Sequence, residues 1–371
     1  MYEHQTGSAR NTLIVEPNES GHRFYYVRLL AEAALERGDE VTIVTSPKAR
    51  ASSQATTHLS TLLNSVNIVV NERTGLELLR HLADTWLPDL IVVPDGDSSA
   101  IALGARPHWN RRVPLGLLVM RATAQPHRVP GMRSVKSLIR RFLFWRARRI
   151  TGVRLFQLRS AALPEDLVRQ HDAIDPVTLN ATADDLLRLR RRVGVNSDAT
   201  VIFSVLGVLD TRKNIPLIID ALNEADVPEA VLLLAGRLTD EVRTQLAERD
   251  RQEVASGLLI RVLDEVMTDS DLDAAVALSD CLVLAYTNEG PSGLVGKALA
   301  AGTRVLAAGS KSLRDDATYQ PTMMTWVPLQ VSSLSQAIVA VAADVRSGGR
   351  PTTKTLVAER KNEFTRPLLG G

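Results

Sequence analysis

At 371 residues the chain is too long for one ordinary hydrophobic core and long enough for two domains. Its 44 Lys and Arg against 42 Asp and Glu leave a formal charge of +2, which excludes a polycation built as a whole for nucleic acid. One cysteine, Cys281, excludes an internal disulfide, and no apolar run approaches the roughly 20 residues of a membrane span.

The opening residues 1–16 lack the apolar centre of a signal peptide, so a cytoplasmic location is expected. Residues 12–16 read as a first strand, 21–37 as a helix closed by Gly38, and 40–45 as a second strand. Further strands are expected at 66–70, 89–94, 114–120 and 153–158, with helices between most of them. Between Asp97 and Glu165 there are fourteen Arg or Lys and no acidic residue, a block that marks an anionic partner. Within it, 133–149 places Leu138, Phe142 and Trp145 on one helical face with arginines around them, including Arg140 and Arg141. That is the pattern of an interfacial helix at a membrane, and equally of an amphipathic helix covering a sheet.

From 164 to 196 the pattern loosens. Pro164, Pro176 and a very polar helix at 183–192 read as an interdomain connection. The alternation then restarts, with strands at 200–206, 229–235, 258–263, 281–285 and 304–307 and a helix at 215–222. A last helix is expected at 332–345, and the tail 348–371 reads as a return segment or a partly disordered end. Such alternation argues for α/β architecture with two doubly wound parallel sheets, domains at 1–180 and 181–347, and ligands in the cleft between them. Cys281 sits in a strand and reads as a structural thiol.

Two segments of the second half carry chemistry. Gly207-Val-Leu-Asp-Thr-Arg-Lys-Asn214 follows a strand and precedes a helix, which puts Arg212 and Lys213 at a strand's carboxyl end, where a fork and a point charge suit a diphosphate. The loop 287–293 holds Glu289 and runs into a helix at 294–301 that Gly302 stops. Free N–H groups at that helix start suit a phosphate, and a nearby carboxylate suits sugar hydroxyls.

Together these segments resemble the donor domain of GT-B retaining glycosyltransferases of the family 4 type, over roughly 200–310. Gly207–Asn214 resembles the family's glycine-plus-basic loop, and Leu234-Ala-Gly-Arg237 its next strand-to-glycine turn. Residues 272–285 resemble the helix and strand before its acidic loop. Glu289-Gly-Pro-Ser-Gly-Leu resembles the opening of its Glu-x7-Glu motif, and 300–307 the closing segment. The first half is similar more loosely, through the Gly21-His22-Arg23 turn and Gly38-Asp39-Glu40-Val41.

The resemblance implies a GT-B fold of two Rossmann-like domains and transfer of a sugar from a nucleotide-diphosphate donor, with retention and without a metal or other cofactor. Arg212 and Lys213 would hold the diphosphate, Glu289 the transferred sugar, and the N–H groups of Gly293 and Leu294 a phosphate. Gly207, Gly290 and Ser292 belong to the same donor-side loops. Gly21 would let an acceptor-side loop approach the donor, with His22 and Arg121 on that side. The acceptor would be a glycan or a lipid-linked glycan, with peripheral membrane contact through 133–149 at the inner face. No nucleic-acid module accompanies the charge.

The chain departs from the family twice. The second Glu of the motif is Lys297, which cannot accept a ribose hydroxyl's hydrogen bond but could meet a phosphate; its alternative is a surface lysine. Arg121 stands where the family often has His. Both motivate a second reading, a catalytically impaired GT-B protein serving as a scaffold in glycan synthesis. A nucleotide-sugar epimerase is a third. Asp95-Gly96-Asp97 mimics a metal motif of the other large glycosyltransferase fold but reads better as a turn or helix cap. His22, His108 and His127 show no zinc or triad pattern.

Overall fold

The computed structural model describes residues 9–19, 23–120, 132–195, 200–252, 258–286, 288–348 and 360–370. Its contacts divide into two units. Met1–Arg159, Val168–Ile174 and Lys361–Gly371 make the first; Ser160–Leu167 and Asp175–Arg360 make the second. The chain therefore does not change unit at one point near 180.

In the first unit, β1 (Asn11–Val15), β2 (Glu40–Thr45), β3 (Asn67–Val70), β4 (Leu90–Val93), β5 (Leu115–Val119), β6 (Val153–Arg159) and β7 (Asp172–Ile174) form a seven-stranded sheet. Its order is β3-β2-β1-β4-β5-β6-β7, all parallel. The second unit holds β8 (Val201–Leu206), β9 (Ala230–Ala235), β10 (Leu259–Leu263), β11 (Cys281–Tyr286), β12 (Arg304–Gly309) and β13 (Met324–Val327). Its order is β10-β9-β8-β11-β12-β13, again all parallel.

The central strands are apolar at nearly every position because helices cover both faces of each sheet. Alternate residues feed two separate cores. Val201, Phe203 and Val205 of β8 enter one, while Ile202 and Leu206 enter the other. In β1, Ile14 faces one core and Leu13 and Val15 face the other. The order of each sheet reverses at its middle, at β1/β4 and at β8/β11. Ligands of doubly wound sheets bind outside the carboxyl ends of the strands at such reversals.

Two edge strands were not expected. β7 and β13 are three and four residues long, too short for an apolar run to stand out. The polar helix near 183 is part of the second unit's body. Ala183–Val193 starts at a Thr182/Asp185 capping box, ends at left-handed Gly194, and buries Leu189 and Val193. Its acids lie in the first turn and its arginines in the last, as the helix dipole favours. In the tail, Lys361–Leu369 is a helix of the first unit that buries Phe364, Leu368 and Leu369. Arg10 and Arg37 both donate to the carbonyl of Leu369 at its end, at 3.0 and 2.6 Å.

Candidate active site

The β8/β11 reversal is bounded by tight loops. Gly207 after β8 has φ +91°, and Gly236 after β9 has φ +133°. A Cβ on Gly236 would lie 1.8 Å from the Gly207 carbonyl oxygen, so the two loops meet backbone to backbone. A single 3-10 turn, Thr211–Lys213, then presents the two expected cations. Asp210 accepts from the Arg212 backbone N–H at 3.1 Å and from its guanidinium Nε at 2.9 Å. Those side-chain bonds raise the Arg212 pKa above its usual value, and half of the side chain stays exposed. Lys213 turns inward. Its Nζ donates to the Leu206 carbonyl at 2.7 Å and to the Tyr286 hydroxyl at 3.3 Å, and lies 4.9 Å from that ring's centre. Asn214, left-handed at φ +50°, ties the turn to β11 by donating to the Ala285 carbonyl at 2.6 Å.

The loop after β11 is held from the other side. Glu289 accepts from Ser310 Oγ at 3.1 Å, from the Ser312 N–H at 3.0 Å and from the Lys311 N–H at 3.3 Å. It therefore satisfies the start of the helix Lys311–Tyr319, whose Ser310 cap makes no side-chain cap bond. Gly290, at φ +126°, exchanges hydrogen bonds with the Ser312 hydroxyl through both its N–H (3.2 Å) and its carbonyl (3.0 Å). The next helix, Gly293–Ala301, begins after Ser292, whose side chain does not cap it either, and has no acid in its first turn. The N–H groups of Gly293 and Leu294 come before its first intrahelical bond.

Lys297, the fifth residue of that helix, is not exposed. Its side chain is 14% exposed; it forms an ion pair with Asp273 and donates to the Thr178 carbonyl at 2.9 Å. Asp273 is fully buried and also accepts from the Asn180 N–H at 2.8 Å. The surface-lysine alternative is thus replaced by a buried pair that pins 178–180 to two helices. Asp273 carried no signal in the sequence, since its partners lie on other elements.

At the β1/β4 reversal of the first unit the described residues include carboxylates, two of them paired with arginines. Asp95 accepts from Arg23 at 2.8 Å and 2.6 Å. Asp97 begins the helix Asp97–Ala105, pairs with Arg140 at 2.9 Å, and accepts the Met120 N–H at 3.0 Å. It fastens β5's end to the helix rather than capping Ser98. Glu16, directly after β1, was not expected as a site residue. It is fully buried; one oxygen accepts from the Asn18 N–H (3.0 Å) and side-chain amide (3.3 Å), and Oε2 has no hydrogen-bond partner among the described residues. Burial, the largest influence, pushes its pKa up to about 7. An acid closing the apolar run 12–15 is the signal that could have found it. Gly21, His22, Arg121 and His127 lie outside the described residues. His108 is exposed. Burial pushes the Cys281 thiol up to about 12.

The basic helix is Met132–Arg148. Phe144 and Ala147 are buried, and a Cβ on Gly104 would lie 2.1 Å from the Leu143 carbonyl oxygen, so one face lies hard against Asp97–Ala105. Arg140 stacks over Phe144 at 4.9 Å on that side. Trp145 is on the opposite, exposed face, its ring centre 5.8 Å from that of Phe142, and Arg141 is exposed. No helix among the described residues is long and apolar enough to cross a membrane.

No family model matches the chain, and no curated protein matches its sequence. Solved structures do. HepE of Anabaena, in complex with UDP, superposes with a TM-score of 0.62 at 14% identity, covering 96% of this chain and 95% of that one. A glycosyltransferase of Rickettsia africae gives 0.65 at 12% identity over 98% and 95%. Sucrose-phosphate synthase of Thermosynechococcus elongatus gives 0.63 at 17% identity over 97% and 95%. With two parallel-sheet α/β units, the chain has the GT-B fold of two Rossmann-like domains.

Proposed function

We propose that the chain is a glycosyltransferase that moves a sugar from a nucleoside-diphosphate donor to a glycan or lipid-linked acceptor, with retention of configuration. The observation that carries this is the β8/β11 edge, where Arg212, Lys213, Glu289 and an uncapped helix start stand on neighbouring loops. A neighbour of the same fold bound to UDP supports the donor class.

In this reading the second unit binds the donor and the first the acceptor. Arg212 and Lys213 hold the diphosphate and stabilise the charge that grows on it as the sugar–phosphate bond breaks. Both cations are fixed beforehand, by Asp210 and by the Leu206 carbonyl, so little reorganisation accompanies the step. Gly207 and Gly290 let backbone approach the donor, and N–H groups of Ser292, Gly293 and Leu294 meet a phosphate. Glu289 exchanges part of its contact with residues 310–312 for sugar hydroxyls. Lys297 contributes through its pair with Asp273, by fixing the helix Gly293–Ala301. The two cations take the part a metal would play; Asp95 and Asp97 are each committed to an arginine. Gly21, His22 and Arg121 are assigned to the acceptor side. Retention and the family 4 relationship rest on the motif resemblance. The location we assign is cytoplasmic, with the basic helix Met132–Arg148 in peripheral contact with the inner membrane face.

Consumption of a nucleotide sugar tests this. Replacing both Arg212 and Lys213 with Ala is expected to lower turnover at least about tenfold, roughly 1.4 kcal/mol of transition-state stabilisation. Wild-type turnover in that variant would sink the assignment. One observation favours the scaffold reading: Glu289 and Lys297 both already have protein partners. That reading expects nucleotide binding to be absent, or present without any turnover.

A further inference from the structure

The helix Met132–Arg148 has a second apolar face that the described residues of the first unit leave exposed. Val135, Leu138, Ile139, Phe142 and Trp145 are 48–65% exposed. They fall at i, i+3, i+4, i+7 and i+10, a single stripe along the helix. Five large side chains exposed on one helix make a contiguous patch of the kind that marks an interaction surface.

At the C-terminal end of the stripe the surface becomes cationic. Arg146 lies over the Phe142 ring at 5.9 Å and Arg149 over the Trp145 ring at 4.0 Å. Beside them opens a pocket of about 660 Å³, lined by His108, Trp109, Arg111, Arg146, Arg149 and Thr151 among others. Among its described lining residues the one acid, Asp84, accepts from the Asn110 side chain at 3.2 Å. The loops that form it, 107–111 and 149–151, lead into the amino ends of β5 and β6. The pocket is thus on the edge of the sheet opposite Glu16, Asp95 and Asp97; its Arg146 stands about 9 Å further along the helix axis than Arg140, the partner of Asp97.

We propose that this helix lies on an anionic phospholipid bilayer, its stripe in the boundary between headgroups and chains, and that the Arg111–Arg146–Arg149 pocket takes lipid phosphates as an anchor separate from any acceptor site. This rests on the membrane contact assigned above. Apolar and cationic groups in direct sequence are what such a boundary demands. The charge complementarity is one-sided, since residues 98–164 contain no acid. A nucleic acid would satisfy the arginines but leave the stripe in water.

Sedimentation with phosphatidylcholine vesicles, with and without phosphatidylglycerol, tests it on the full chain. Two exposed-surface variants are compared: Phe142→Ser/Trp145→Ser, and Arg111→Gln/Arg146→Gln/Arg149→Gln. Circular dichroism and Tm confirm their fold. The parent should bind anionic vesicles far better than neutral ones. The triple variant should lose on the order of a hundredfold in affinity for anionic vesicles, at about 1 kcal/mol per charge. The aromatic variant should lose binding to both. Loss in the aromatic variant with none in the triple variant would overturn the phosphate pocket and leave the membrane contact standing. Failure of the parent to bind anionic vesicles would overturn both. Binding to anionic vesicles that the aromatic variant leaves intact would overturn the docking geometry.

Discussion

The two sheet reversals are built alike in topology and differently in charge. At β8/β11 the loops carry two cations, left-handed glycines and a helix start without a side-chain cap. At β1/β4 their described residues carry four carboxylates, three of them bound by Arg23, Arg140 and Lys48 and the fourth, Glu16, buried. In the first, Arg212 is itself paired with Asp210, while Lys213 bonds a carbonyl and a hydroxyl rather than a carboxylate. In the second, the described cations Arg23, Arg140 and Lys48 each pair with a carboxylate. Topology thus marks two places for ligands, and among the described residues Lys213 and the uncapped helix start give the second unit's edge the groups that the proposed diphosphate needs.

Substitutions sharpen this contrast. The largest effect is expected from Gly236→Ala. Its Cβ would meet the Gly207 carbonyl oxygen at a backbone angle that L residues rarely adopt. Chemical denaturation should show a loss of about 4 kcal/mol or failure to fold. Next is Lys297→Glu, which places in the chain the carboxylate that the family motif has there. Facing Asp273, it would bury two like charges and remove the cation, at a cost of about 3–5 kcal/mol. If instead the variant were as stable as the parent, Asp273 would not depend on Lys297.

Glu16 gives a smaller, pH-dependent effect. Its folded pKa, about 7, lies above the ordinary 4.5, so the folded state holds a proton that the unfolded state has lost between those values. Its stabilising contribution is complete below about 4.5 and lost as pH rises through 7. Glu16→Gln should remove that dependence and make the protein more stable than the parent above pH 7, by up to about 3 kcal/mol. Thermal unfolding across this range reads it directly; parallel curves for parent and variant would contradict the burial argument. The smallest effect is a null one. With its pKa at about 12 inside β11, Cys281 should resist a thiol reagent until denaturant is added.

Much of this architecture was legible in the sequence because buried parallel strands announce themselves as apolar runs. β8, β9 and β11 are of that kind; β7 and β13 escaped notice because an edge strand of three or four residues needs no such run. Arg212 and Lys213 were legible because loop chemistry between a strand and a helix fixes where they stand. Their partners were less so. Asp210 is two residues away, but Tyr286 lies on β11. The pairing of Lys297 with Asp273 joins two helices, and the bonds of Glu289 to 310–312 join a loop to a helix start. Neither spacing has a period that a sequence displays. The basic helix shows another limit. Apolar residues at helical spacing were evident, yet the helix has two apolar faces, and it takes the burial of Phe144 and Ala147 and the contact of Leu143 with Gly104 to show which one turns inward.

The central claim is that the β8/β11 edge binds a nucleoside diphosphate. Calorimetric titration of the folded chain with UDP, GDP, ADP and TDP, repeated in Arg212→Ala/Lys213→Ala, tests it most directly. The account predicts saturable binding of one of these nucleotides, weakened at least about tenfold by the double substitution. Absence of binding by any of the four to a fully folded protein, or equal binding by the variant, would contradict it.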